Sequence, residues 1–173
     1  MTFVSLSSAD DESRVLIEAA VRQADCICCA TSATAPLFPS EWVRPGTHVI
    51  LVGSYKPEMV EVDAALIRRA RVVLVDSRSA CAVEAGELIA AGVPPEGMVE
   101  VGELLRRASP TGDGSERSWA PDARRVAEVL EAGKGDVTIF KSVGLGAQDV
   151  AIAVATVDRA IEMGIGTMVP DFD

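Results

Sequence analysis

Apolar and polar positions along this chain alternate between short β-branched runs and longer amphipathic stretches. Residues 25–31, 48–53, 71–76 and 136–142 are the strong runs, with unbroken apolar centres such as Val49-Ile50-Leu51-Val52 and Val72-Val73-Leu74-Val75. Continuous apolar character suits parallel strands covered on both faces. A weaker run lies at 3–6. Helical spacing appears between the runs: 11–23, with Val15, Leu16, Ala19 and Ala20 on one side; 57–70, opened by Pro57 and carrying Met59, Val62 and Leu66; a helix through Ala91, capped by Ser77 or Ser79 and ended by Gly92; one from Pro121 through Leu130; and 147–163. The last is apolar around most of its circumference, which predicts heavy burial. Strand-helix alternation predicts an α/β fold: a doubly wound, mainly parallel sheet with helices on both faces, as one domain over 1–173. Residues 108–120, rich in Ser, Gly and Pro, read as a mobile loop.

Composition narrows the partners. With 173 residues and 49% hydrophobic content the chain can bury a real core. The formal net charge of −10 repels phosphate backbones, so nucleic acid is not an expected partner. No apolar run approaches the ~18 residues of a membrane span, and the first residues lack a secretory pattern, so a cytoplasmic location is expected and no membrane partner. Cys26, Cys28, Cys29 and Cys81 are expected as buried free thiols: in a strand Cys26 and Cys29 point to opposite faces and cannot share a metal.

Candidate chemistry lies at the strand ends. Gly144-Leu145-Gly146 approaches a dinucleotide fingerprint but lacks its third glycine. No further strand follows, nor an acidic ribose ligand, so it reads as a tight strand-to-helix turn. The ends Cys29-Ala30-Thr31-Ser32 and Val52-Gly53-Ser54-Tyr55 are small and polar, so a flat ligand can approach the backbone. Asp76, Glu84 and Glu87 read as helix-capping or solvated carboxylates rather than a metal site, and no metal is expected. His48 reads as a hydrogen-bonded structural residue.

Ala24-Asp25, Ala30-Thr31, Trp42-Val43-Arg44-Pro45-Gly46-Thr47-His48, Val52-Gly53-Ser54-Tyr55-Lys56-Pro57, Glu61-Val62-Asp63, Val75-Asp76-Ser77 and Phe140-Lys141-Ser142-Val143-Gly144 occur in this order. The ordered set, over about 11–166, resembles the C-terminal portion of the ornithine cyclodeaminase/mu-crystallin family. The resemblance implies the C-terminal part of an NAD(P)-binding Rossmann-like domain, and hydride transfer between nicotinamide and a carbon bearing an amine or imine. It implies cofactor contacts from Thr31, Val52, Gly53, Ser54, Ser142 and Val143, with Tyr55 as the candidate catalytic proton donor. Tyr55 stands where ornithine cyclodeaminases carry an aspartate, and Met59 where they carry a lysine. Lys141 looks more like the mu-crystallin or alanine dehydrogenase branches. The family's substrate domain and glycine-rich first βαβ unit have no counterpart in this sequence. The expected function is therefore a fragment of an NAD(P)-dependent oxidoreductase acting on a small-molecule imine or amino acid, inactive as this chain alone, with weak or absent binding of NAD or NADP. The alternative is a non-catalytic binding or oligomerisation module. Loss of a neighbouring strand beside Cys26 predicts a homo-oligomer whose contact includes 25–31 or the helix 11–23.

Overall fold

The computed structural model describes residues 11–107, 119–134, 136–167 and 169. The expected strand at 3–6 and nearly all of the expected loop at 108–120 lie outside them. The chain divides into two compact units, Met1–Val143 and Gly144–Asp173.

The first unit runs α1 (Asp11–Gln23), β1 (Cys26–Cys29), β2 (His48–Leu51), α2 (Ala64–Arg69), β3 (Val73–Val75), α3 (Arg78–Glu84), α4 (Gly86–Ala91), β4 (Met98–Glu100), β5 (Leu105–Arg107), β6 (Trp119–Pro121), α5 (Ala123–Ala132) and β7 (Thr138–Lys141). Five strands form one sheet in the order β1-β2-β7-β3-β4, every pair parallel. The register sets Cys29 level with Leu51, Lys141 and Val75. Strands β5 and β6 make a separate antiparallel pair. Neither that pair nor β4 is readable in the sequence because, unlike β3 within Val72-Val73-Leu74-Val75, these three-residue strands lie in no continuous apolar run.

Alternation along the strands puts Cys29, Val49, Leu51, Val73, Val75 and Ile139 on one face, and all are buried. With them in the core are Val21 of α1, Leu66 and Ile67 of α2, Cys81 of α3 and Leu88 of α4. On the opposite face His48, Ile50, Leu74, Thr138 and Phe140 are only half-buried. Helix α5 approaches part of that face, where Val129, Leu130 and Gly133 line a cavity with His48, Val72, Leu74 and Thr138. His48 Nδ1 lies 2.7 Å from Thr138 Oγ1.

Four expectations about the elements of this unit need correction. The helix expected from Pro57 begins only at Ala64, where the Asp63 carboxylate accepts from Leu66 N at 2.8 Å. The preceding backbone is already committed elsewhere: Val60 N donates to Ala33 O and Leu37 N to Glu61 O. The single helix expected through Ala91 is two, broken at an extended Ala85. The break lets Gly86 press onto the carbonyls of Met59 and Pro57, where a Cβ would stand 2.1 and 2.6 Å away. In α1 the inward stripe is Ile17 and Val21, four residues apart, while Val15 and Leu16 are exposed. Finally, Cys26 and Cys28 are exposed, because β1 is an edge strand and they lie on its open face; Cys29 and Cys81 are buried.

The second unit is α6 (Gly146–Met163), closed by Gly164 in the left-handed region at φ 64°. The expected heavy burial is not found, and none of its residues is buried. An all-round apolar helix needs cover on every side. Among the described residues its own unit contains no other helix or strand to provide it. No helix among the described residues is long and apolar enough to cross a membrane.

Candidate functional site

All five main strands point the same way, so their C-terminal ends share one edge of the sheet, the edge at which open α/β folds bind ligands. Within the first unit, Thr31, the Val52–Tyr55 turn, Asp76 and Ser142–Val143 meet there. Three carboxylates tie these strand ends together. Glu61, fully buried, accepts from Thr31 N at 2.6 Å, Thr31 Oγ1 at 3.0 Å and Gly53 N at 2.8 Å, joining the ends of β1 and β2. Asp76 accepts from Ser142 Oγ at 2.7 Å and Val143 N at 3.0 Å, joining the ends of β3 and β7. Glu87, fully buried, accepts from Ser54 Oγ, while Lys141 Nζ donates to Ser54 O and Ser54 Oγ, each at 2.6 Å, joining the ends of β2 and β7. Glu87 Oε1 lies 3.2 Å from Lys141 Nζ, within ion-pair range, but outside hydrogen-bond geometry.

These contacts place the candidates unequally. Thr31, Val52 and Tyr55 are exposed at the rim. Lys56 Nζ sits 5.6 Å from the centroid of the Tyr55 ring, at cation–π range. Gly53 is at the closest approach between strand ends: a Cβ there would stand 1.9 Å from Thr31 O and 2.4 Å from Glu61 Oε1. Ser54 is fully buried and its hydroxyl turns inward to Lys141 and Glu87. Ser142 is 8% exposed, with its hydroxyl spent on Asp76. Val143 is half-buried.

Glu61 and Lys141 carry no site role in the sequence reading, and Glu87, read there as capping or solvated, is fully buried. One signal was available. Lys141 stands two residues from Ile139 and four from Val137, on the inward phase of its strand. An inward lysine demands a buried acid. Which acid answers it depends on the break at Ala85, which has no sequence signature.

The electrostatics of this edge are negative. Burial, and next the charge of Glu61, push the Cys29 thiol up to about 12. Burial, and next Asp76, do the same to Cys81, also about 12. Both thiols stay protonated at neutral pH and are poor nucleophiles. Among the described residues no group of three or more His, Cys, Asp or Glu side chains is placed to hold a metal ion. The amides of Thr31, Gly53 and Val143 already donate to carboxylates, so these three are not available to a pyrophosphate. The turns offer a small-residue wall over buried negative charge, which fits a flat ring or a cation.

A parallel α/β sheet with its candidate turns at the strands' carboxyl ends defines a Rossmann-like domain. The model of the ornithine cyclodeaminase/mu-crystallin family matches residues 12–164, and the chain belongs to that family. A Delta(1)-pyrroline-2-carboxylate reductase of Bacillus cereus is 34% identical over 151 residues, covering 87% of this chain and 42% of the relative. The ketimine reductase mu-crystallin of Mus musculus is 32% identical over 142 residues, covering 82% of this chain and 38% of the relative. Among solved structures, Thermococcus litoralis Delta(1)-pyrroline-2-carboxylate reductase in complex with NADH and L-proline superposes with a TM-score of 0.62 at 26% identity, over 88% of this chain and 42% of that one. The chain thus spans about two fifths of the length of these relatives.

Proposed function

We propose that this chain is the nicotinamide-side portion of an NAD(P)-dependent oxidoreductase acting on an imine or amino acid, in the manner of a ketimine reductase or amino-acid dehydrogenase. The observation that carries the reading is the row of strand ends at Thr31, Gly53 and Ser142–Val143, drawn together by Glu61, Glu87 and Asp76. This edge suits the nicotinamide end of a dinucleotide, because it offers a flat approach at Gly53 and negative charge beneath a ring that is cationic when oxidised. The same charge favours a protonated imine. A bound reduced nicotinamide supplies the hydride. The chain supplies the wall for the ring at Thr31, Val52, Gly53 and Val143. Tyr55 holds an exposed hydroxyl at the rim from which a proton reaches the imine nitrogen.

Much of dinucleotide affinity comes from the pyrophosphate, and the amides of Thr31, Gly53 and Val143 are already spent on carboxylates. The chain alone is therefore expected to bind NADH or NADPH with a dissociation constant on the order of 1 mM or weaker, worth ~4 kcal/mol, and to turn over no substrate. Calorimetric titration of the full chain tests this. Low-micromolar affinity would overturn the assignment of these turns to the nicotinamide end alone.

A second reading, a non-catalytic module that associates with a further copy of itself, is favoured by α6. Val150, Val154, Val157 and Ile161 recur at heptad spacing and are 64%, 56%, 56% and 60% exposed.

A further inference from the structure

Lys141 is among the largest side chains buried to 0% exposure, and its partners Ser54 and Glu87 are equally buried. A lysine at such a position is costly: an apolar side chain of similar volume would fill the same space without removing two charges from water. The geometry shows what the charge does here. Its ammonium donates twice to one residue of the β2 turn, to Ser54 O and to Ser54 Oγ. The Ser54 hydroxyl can then point its own proton only at Glu87 Oε2. A backbone carbonyl, a hydroxyl and a carboxylate from two elements are thus organised by one cation at the end of a third. The cation lies directly before Ser142, whose amide bonds Leu51 O at 2.9 Å and whose hydroxyl bonds Asp76.

We propose that Lys141, with Glu87, is a positioning pair for the nicotinamide-facing edge, locking the Val52–Tyr55 turn to the Ser142–Val143 turn so that the two move as one body. The inference rests on the proposed function for what the edge binds, but not for the coupling itself. It gives Ser54 a different part from direct contact with a ligand: its side chain is the anchor by which the pair holds the backbone of Gly53 and Tyr55. Neither Lys141 nor Glu87 needs to touch a ligand for this. The unbonded Glu87 Oε1 leaves the pair one hydrogen bond short of saturation, so removing one partner strands a buried charge, whereas removing both charges together does not.

The test uses the full chain carrying Lys141→Met with Glu87→Gln, and Ser54→Ala as a gentler second variant. Residue-resolved amide hydrogen exchange is followed, with NADH as the probe. In the double variant the amides of 52–55 and 142–143 are expected to exchange at least tenfold faster together, while those of Val49 and Ile139 are unchanged. NADH-induced shifts at the same turns should require at least tenfold more nucleotide. Exchange that is unaltered at the turns, or that rises equally through the whole sheet, overturns the proposal and leaves a plain packing role. Should the double variant fail to fold, Ser54→Ala decides by the same exchange criterion. If NADH moves no resonance of the wild-type edge, the functional reading falls, and exchange still decides the coupling.

Discussion

At the scale of single residues, the most constrained position is Gly53. A methyl group there would meet the backbone of Thr31 at 1.9 and 2.2 Å, and backbone cannot step aside as a flexible side chain would. Gly53→Ala must part the ends of β1 and β2 and break the Gly53 N bond to Glu61. Overpacking and loss of a hydrogen bond to a charged group together cost ~3 kcal/mol. In a chain of this size that lowers the melting temperature by roughly 10 °C, measurable by calorimetry; a loss under about 1 kcal/mol would mean the strand ends are not held this closely. The glycine was legible in the sequence only as a small residue in a polar turn. The reason it must be glycine was not, since Thr31 and Glu61 reach it from 22 residues before and 8 after.

At the scale of elements, the four strong strands and the α/β class were legible, because unbroken apolar runs state burial on both sides without reference to any neighbour. Helix limits were less so. Asp63, not Pro57, starts α2, and only the prior engagement of Val60 and Leu37 explains why. The far end of α2 carries a pH-dependent tie. Arg69 donates to both oxygens of Asp136, just before β7, and to Ser40 O at 2.6 Å. The hydrogen bonds from Arg69 hold the Asp136 carboxyl below its usual range. A depressed carboxyl pKa gives stability that is fully present above the unfolded value of about 3.9 and is lost as pH falls through the folded value. Arg69→Met is therefore expected to cost ~0.5–1 kcal/mol at pH 7, the range for a partly solvent-screened pair. It should also flatten the fall in stability below about pH 4. Denaturant titrations at pH 7 and pH 3 check this: an equal loss at both pH values would show that the pair contributes nothing.

At the scale of the whole molecule, α6 separates what a sequence says from what one chain can satisfy. Its apolar circumference predicts heavy burial, yet among the described residues Val150, Ile152, Val154, Val157 and Ile161 are all exposed. Self-association through that helix is the expected outcome of the second reading. Sedimentation at micromolar concentration should show a dimer that Val154→Asp with Val157→Asp returns to monomer; a wild-type monomer would remove that reading. The sheet order has a different consequence, one that concerns synthesis. Strand β7, the last of the five in sequence, sits at the centre between β2 and β3. The ribosome must therefore add about ninety residues after Leu51 before the central place is filled, a wait of roughly 5–18 s at ordinary elongation rates. Through that wait the inner edge of β2 is unpaired, joined by that of β3 once residues 73–75 are made, and unpaired edges recruit other strands. The chain's most vulnerable state thus belongs to its translation, and slow decoding between β3 and β7 would lengthen it directly.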